Sequence, residues 1–132
     1  MKISSKILST VLVIAILATS SFAGTKEKAI AKATEAVENG SPDDWKLLAS
    51  QADYLIKKNT ALGTAKEWAE KSISIKADAF NFEVMGDYYV KSNLPKEAIG
   101  YYIKSMDMVK VGNPAANTQY LQDKIISTKG QM

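Results

Sequence analysis

The chain has 132 residues, enough for one small domain. Hydrophobic residues at 46% and charged residues at 23% suit a globular chain and exclude a disordered one. It holds no cysteine and no histidine, which excludes disulfides, zinc-thiolate sites, lipid-modified cysteines and histidine general bases.

The first residues read as an export signal, not as fold. Lys2 and Lys6 give a short positive region, Ile7 to Ala18 is apolar apart from Ser9 and Thr10, and Ser21-Phe22-Ala23 resembles a small-residue cleavage site. The apolar run falls well short of the roughly 20 residues that span a bilayer, so cleavage is the expectation and an uncleaved anchor the alternative. Cleavage after Ala23 removes residues 1–23, leaves 109 of the 132 residues and places the product in the periplasm or outside the cell. It also removes two lysines. The remaining 15 lysines against 14 acids give a net charge of +1, so the calculated pI near 9.0 is no nucleic-acid footprint. All 17 basic residues are lysine, a composition that suits a bacterium of low-GC genome and lacks the bidentate guanidinium grip on phosphate.

Thereafter the chain predicts helices with clear punctuation and no period-2 alternation, an all-α fold of about 5–6 helices. Residues 25–39 form an alanine-rich first helix that Asn39-Gly40 can end. Ser41-Pro42-Asp43-Asp44 starts a second helix to about Lys58, with Ser41 as cap. Thr64-x-x-Glu67 resembles a capping box for a third helix, to about Lys76. Asp78 caps a fourth through Ser92, and Pro95 opens a fifth to about Lys110. Gly112-Asn113-Pro114 leads into a last helix over 114–128, amphipathic with Tyr120, Leu121, Ile125 and Ile126 against Gln119, Gln122, Asp123 and Lys124.

Internal similarity follows these elements. Residues 65–75 align with 98–108 at an offset of 33, pairing Ala65 with Ala98, Trp68 with Tyr101 and Ser72 with Ser105. Residues 45–52 align with 82–89 at an offset of 37, pairing Trp45 with Phe82, Leu48 with Met85 and Ala49 with Gly86. The domain therefore reads as a half repeat (25–39), a pair (42–76), a pair (78–111) and a capping helix (114–128). Within the second pair, Gly86 lets the neighbouring helix approach, Ala98 is its small counterpart, and Tyr89 and Tyr102 fill the space beside them.

At these residues the chain resembles the tetratricopeptide repeat family. Phe82-x-x-Met85-Gly86-x-x-Tyr89 followed by Ala98-x-x-x-Tyr102 matches the family pattern of aromatic, leucine, glycine, tyrosine, alanine and aromatic. Lys110 stands where the family prefers proline. In the preceding copy Ala52 replaces the tyrosine, and the turn around Lys58 to Gly63 is about four residues too long. The resemblance implies a solenoid of antiparallel helix pairs whose first helices line a concave face that binds a protein or peptide. The implied face comprises Asp43, Lys46, Ser50, Asp53 and Tyr54 on the second helix and Phe80, Glu83, Asp87, Val90 and Lys91 on the fourth. Its acidic pair suits a basic or mixed apolar-basic segment.

Catalysis finds little support. Glu83 and Asp87, four apart, could hold a divalent metal, but two carboxylates without further ligands read better as a solvated face. A serine nucleophile lacks histidine and a Ser-x-x-Lys partner, and no phosphate-binding glycine motif occurs. Neither enzyme activity nor a cofactor is expected. Two readings remain: an exported monomeric adaptor that works through the face, and a structural or oligomerising solenoid that docks by its ends.

Overall fold

The computed structural model describes residues 21–132, and their side chains from Gly24 onward. Residues 1–20, with the charged and apolar parts of the expected export signal, lie outside the described residues. The described residues are all-α, with six helices: α1 (Ser21–Asn39), α2 (Trp45–Lys57), α3 (Leu62–Ile75), α4 (Ala79–Lys91), α5 (Pro95–Gly112) and α6 (Gln119–Lys129). Among them no helix is long and apolar enough to cross a membrane.

The helix starts follow their capping chemistry, with two departures from expectation. Asp78 caps α4 as expected, its carboxylate accepting the Phe80 N–H at 2.9 Å while the Asn81 side chain accepts the Asp78 N–H at 2.9 Å. Pro95 occupies the first turn of α5. The cap of α2, however, is Asp44, which accepts from the Leu47 N–H at 2.9 Å, and Ser41 instead donates to Asp43 in the preceding turn. Nor do Thr64 and Glu67 form a capping box. α3 begins earlier, at Leu62, behind Ala61 in the left-handed conformation at φ 46°. α1 starts at Ser21 rather than Thr25, so the expected cleavage point at Ala23 falls within its backbone. α6 begins at Gln119, because Pro114 to Asn117 form the turn before it.

The two helix pairs repeat more strictly than the sequence alignment suggests. At the end of α2 the Thr60 N–H reaches back to the Leu55 carbonyl at 3.1 Å, with Asn59 left-handed at φ 50°. At the end of α4 the Leu94 N–H reaches the Tyr89 carbonyl at 2.9 Å, with Asn93 at φ 58°. Both are the turn that satisfies the last carbonyls of a helix through one left-handed residue. Every position in the second turn lies 34 residues after its counterpart (55 to 89, 59 to 93, 60 to 94). The other end agrees. Ser72 Oγ donates to the carbonyl of Trp45, the first residue of α2, and Ser105 Oγ donates to that of Ala79, the first residue of α4, each at 2.7 Å. These bonds join the far end of the second helix to the near end of the first, so each pair is antiparallel. The α2-to-α4 offset is therefore 34, not 37, and the first pair's turn is longer by the single residue Ala61.

Packing completes the arrangement. α2 contacts α4, α3 packs between them and α5 packs against both α4 and α6. Ala33, Ala52, Leu55, Ile56, Ala65, Ala69, Val84 and Met85 form a core across α1 to α4. Full burial of Leu55, Ile56 and Met85 contributes about 1.5–3 kcal/mol each. Ala98, Tyr102 and Leu121 form a second core between α5 and α6, with Tyr89, Val90 and Ile125 against it. A buried polar staple locks the pairs together. Asn81 Nδ2 donates to Ser72 Oγ at 3.0 Å and to the Lys76 carbonyl at 2.7 Å, which leaves no buried polar side-chain atom there unpaired.

Candidate functional site

Gly86 organises the site. A Cβ there would lie 2.5 Å from Tyr102 Cδ1, so the tyrosine ring rests on the bare helix backbone. The ring passes over α4 and presents its hydroxyl on the far side, where it donates to Asp87 Oδ1 at 2.6 Å. Burial first, then this bond and the nearby carboxylates, hold the Tyr102 phenol far above its ordinary pKa.

Lys124 of α6 closes on the same carboxylate. Its ammonium lies 2.8 and 2.9 Å from the two oxygens of Asp87 and 2.7 Å from Glu83 Oε1, and 5.4 Å from the centre of the Tyr102 ring. Burial disfavours the charge on Lys124, but the bonds to Asp87 and Glu83 outweigh it and raise its pKa. The ammonium sits where a divalent cation would have to bind, and among the described residues no group of three metal-ligating side chains forms.

Around this cluster α4 and α6 enclose a groove of about 470 Å³, lined by Asp87, Val90, Tyr102, Tyr120, Asp123 and Lys124 and by the polar end of α6. Tyr120 is 49% exposed at its mouth; partial burial, then the Glu83 charge, raises its pKa. Two carboxylates (Asp87, Asp123) and one ammonium line the groove, and that ammonium is also paired with Glu83, so the groove stays acidic.

The expected face residues divide. Asp87 and Val90 line this groove, and Glu83 joins it through Lys124. Phe80 packs against the first core, and Lys91 lies exposed at the end of α4. On α2, Lys46, Ser50 and Asp53 lie along one stripe. Lys46 is 5.8 Å from the Trp45 ring centre, Ser50 Oγ donates to the Lys46 carbonyl at 2.8 Å, and Asp53 pairs with Lys57 at 2.6 Å. Asp43 is not on the helix at all. It occupies the preceding turn, where the Ser41 hydroxyl holds its pKa below the ordinary value. Tyr54 turns toward α1, with Lys32 5.6 Å from its ring centre. The cause is the offset. Reading 37 for 34 displaces the α2 set by three residues, which rotates it about 60° around the helix. At 34, the α2 counterparts of Phe80, Glu83, Asp87, Val90 and Lys91 are Lys46, Ala49, Asp53, Ile56 and Lys57.

Sequence reasoning missed the α6 contribution. Lys124, expected on the polar face of α6, points inward to α4, while Tyr120 and Ile126, expected on its apolar face, are 49% and 65% exposed. The i, i+4 pair Tyr120/Lys124 was the available signal. Comparison with models of known protein families, with curated proteins and with solved structures finds no match to this chain.

Proposed function

We propose that this chain is a tetratricopeptide-like adaptor, exported by a cleaved N-terminal signal, that binds a basic segment of a partner protein in the groove between α4 and α6. The observation that carries the reading is the groove's charge: Asp87 and Asp123 line it against Lys124 alone, whose ammonium Glu83 also pairs, beside the exposed Tyr120 ring. A lysine or arginine of the partner meets the surplus carboxylate, and its apolar neighbours lie on Tyr120 and Val90. The 34-residue recurrence of the turn, with the matching serine bonds to residues 45 and 79, supports the repeat reading beside the motif residues.

The test must spare Asp87, since it anchors Tyr102 and Lys124. Asp123→Lys with Ser127→Lys reverses the groove's charge at two exposed positions. Immobilised native chain and this variant are offered the same cell-envelope extract. A protein retained by the first and lost by the second supports the groove as the working site. Equal retention moves the function to the ends of the helix array. The outward Ile126 and the Val111 side chain, 65% and 83% exposed, favour that second reading, in which the array docks by its last helices.

A further inference from the structure

The other end of the molecule carries a groove of opposite sign. α1 and α2 diverge to leave about 400 Å³ lined by Thr25, Lys26, Lys28, Ala29 and Lys32 of α1 and by Tyr54 and Lys58 at the end of α2. None of these residues is acidic. The spacing of Lys28, Ala29 and Lys32 puts all three on one side of α1. Like charges four apart on a helix cost about 0.2–0.5 kcal/mol, so helix stability alone does not favour Lys28 with Lys32. Lys28, Lys32 and Lys58 make no ion pair among the described residues, although Lys57, one residue earlier, is paired with Asp53. Lys32 and Lys58 lie 5.6 and 5.9 Å from the centre of the Tyr54 ring, so the aromatic floor is flanked by two ammonium groups.

A floor of Ala29, Tyr54 and lysine stems, rimmed by the ammonium groups of Lys28, Lys32 and Lys58, matches one chemistry. We propose that the α1–α2 groove is a second binding site, for an acidic segment of a partner protein that places apolar side chains on Ala29 and Tyr54 and carboxylates against Lys28, Lys32 and Lys58. Charge complementarity identifies the occupant: three cations without counter-charges attract carboxylates, and the apolar floor selects a peptide with alternating apolar residues over a simple anion. With an acidic groove at α4–α6, the chain presents opposite charges at its two ends and discriminates between two partners by sign. This site does not depend on the function proposed for the α4–α6 groove.

The test titrates the purified full chain with an end-blocked peptide of alternating glutamate and leucine, with its glutamine counterpart, and with phosphatidylglycerol vesicles. Amide shifts over residues 25–32 and 54–58 locate any binding. The expected result is binding of the glutamate peptide at those amides, weakened by salt and absent for the glutamine peptide. Lys28→Glu with Lys32→Glu should weaken it by about tenfold or more, while Asp123→Lys with Ser127→Lys leaves it undiminished. The double variant must keep the native melting temperature. If it does not, Lys28→Gln with Lys32→Gln replaces it and should weaken binding in the same direction. The proposal is overturned if the glutamate peptide does not bind, if both lysine variants bind it as tightly as the native chain, or if only the vesicles bind.

Discussion

The pairs α2–α3 and α4–α5 share one backbone plan but fill it differently. At matched positions the first pair has Ala52 and Ala69 where the second has Gly86 and Tyr102 (52 to 86, 69 to 102). Both alanines are fully buried in the first core. A glycine instead admits a whole phenol ring, whose hydroxyl emerges beside Asp87. The matched aspartates then have different fates. Asp53 pairs only with Lys57 of its own helix, whereas Asp87 is tied to α5 by Tyr102 and to α6 by Lys124. The exchange of two alanines for a glycine and a tyrosine thus ties the second pair to α6 through Asp87, a connection the first pair lacks.

The largest test of that contrast is at the glycine. Gly86→Leu must displace the Tyr102 ring and should cost about 3 kcal/mol or more, read as a fall in melting temperature. Gly100→Ala, in the open middle of α5 with nothing within 4 Å of an added Cβ, should stabilise by up to about 1 kcal/mol. Equal melting temperatures for the Gly86 variant and the native chain would remove the ring from its place.

Next in size is the difference between the aspartates. Lys124→Met leaves Glu83 and Asp87 facing each other without a counter-charge and should cost about 1–2 kcal/mol, discounted for partial exposure, with faster amide exchange across α6. Lys57→Met removes an exposed pair within one helix and should cost no more than about 0.5 kcal/mol. If the two variants melt together, the α4–α6 bridge holds nothing.

The same cluster predicts an alkaline limit. Lys124 and Tyr102 both have pKa values raised by folding, so both hold their protons in the folded state after the unfolded chain has released them. Their contribution is complete below the ordinary values of 10.0 for tyrosine and 10.5 for lysine and is lost as pH climbs above them. Chemical denaturation from pH 9 upward should show stability falling, and Lys124→Met should flatten the slope. An unchanged slope in that variant would contradict the assignment.

A further contrast compares the two serines. Ser72→Ala strips a partner from both the Trp45 carbonyl and Asn81, Ser105→Ala from the Ala79 carbonyl alone. Denaturant midpoints should place the first at about 1–3 kcal/mol and the second at about 1 kcal/mol. The reverse order would mean the Asn81 staple is not shared between the pairs.

Much of the fold was legible without coordinates. Helix number, the Asp78 and Pro95 starts, the antiparallel pairs and the 33-residue match of α3 to α5 depend on local signals, since caps, turns and small residues act over a few positions. The offset between α2 and α4 was not. Trp45 and Phe82 look like equivalent anchors, and a slip of three residues keeps most apolar positions near the same face. The matched turn bonds at Leu55–Thr60 and Tyr89–Leu94 and the serine bonds to Trp45 and Ala79 distinguish 34 from 37.

The sequence by itself determined an all-α chain with helices paired by short turns, because a helix start or stop is decided by residues within one turn of it. Tertiary structure alone decided which of the charges are occupied. Lys124 reaches Glu83 and Asp87 across 37 residues from Asp87, while Lys32 and Lys58 flank Tyr54 and Lys28 lines the same groove, with no carboxylate among the groove's lining residues. Whether a charged side chain is satisfied or left open depends on what another helix places within about 4 Å of it, and no local pattern encodes that distance.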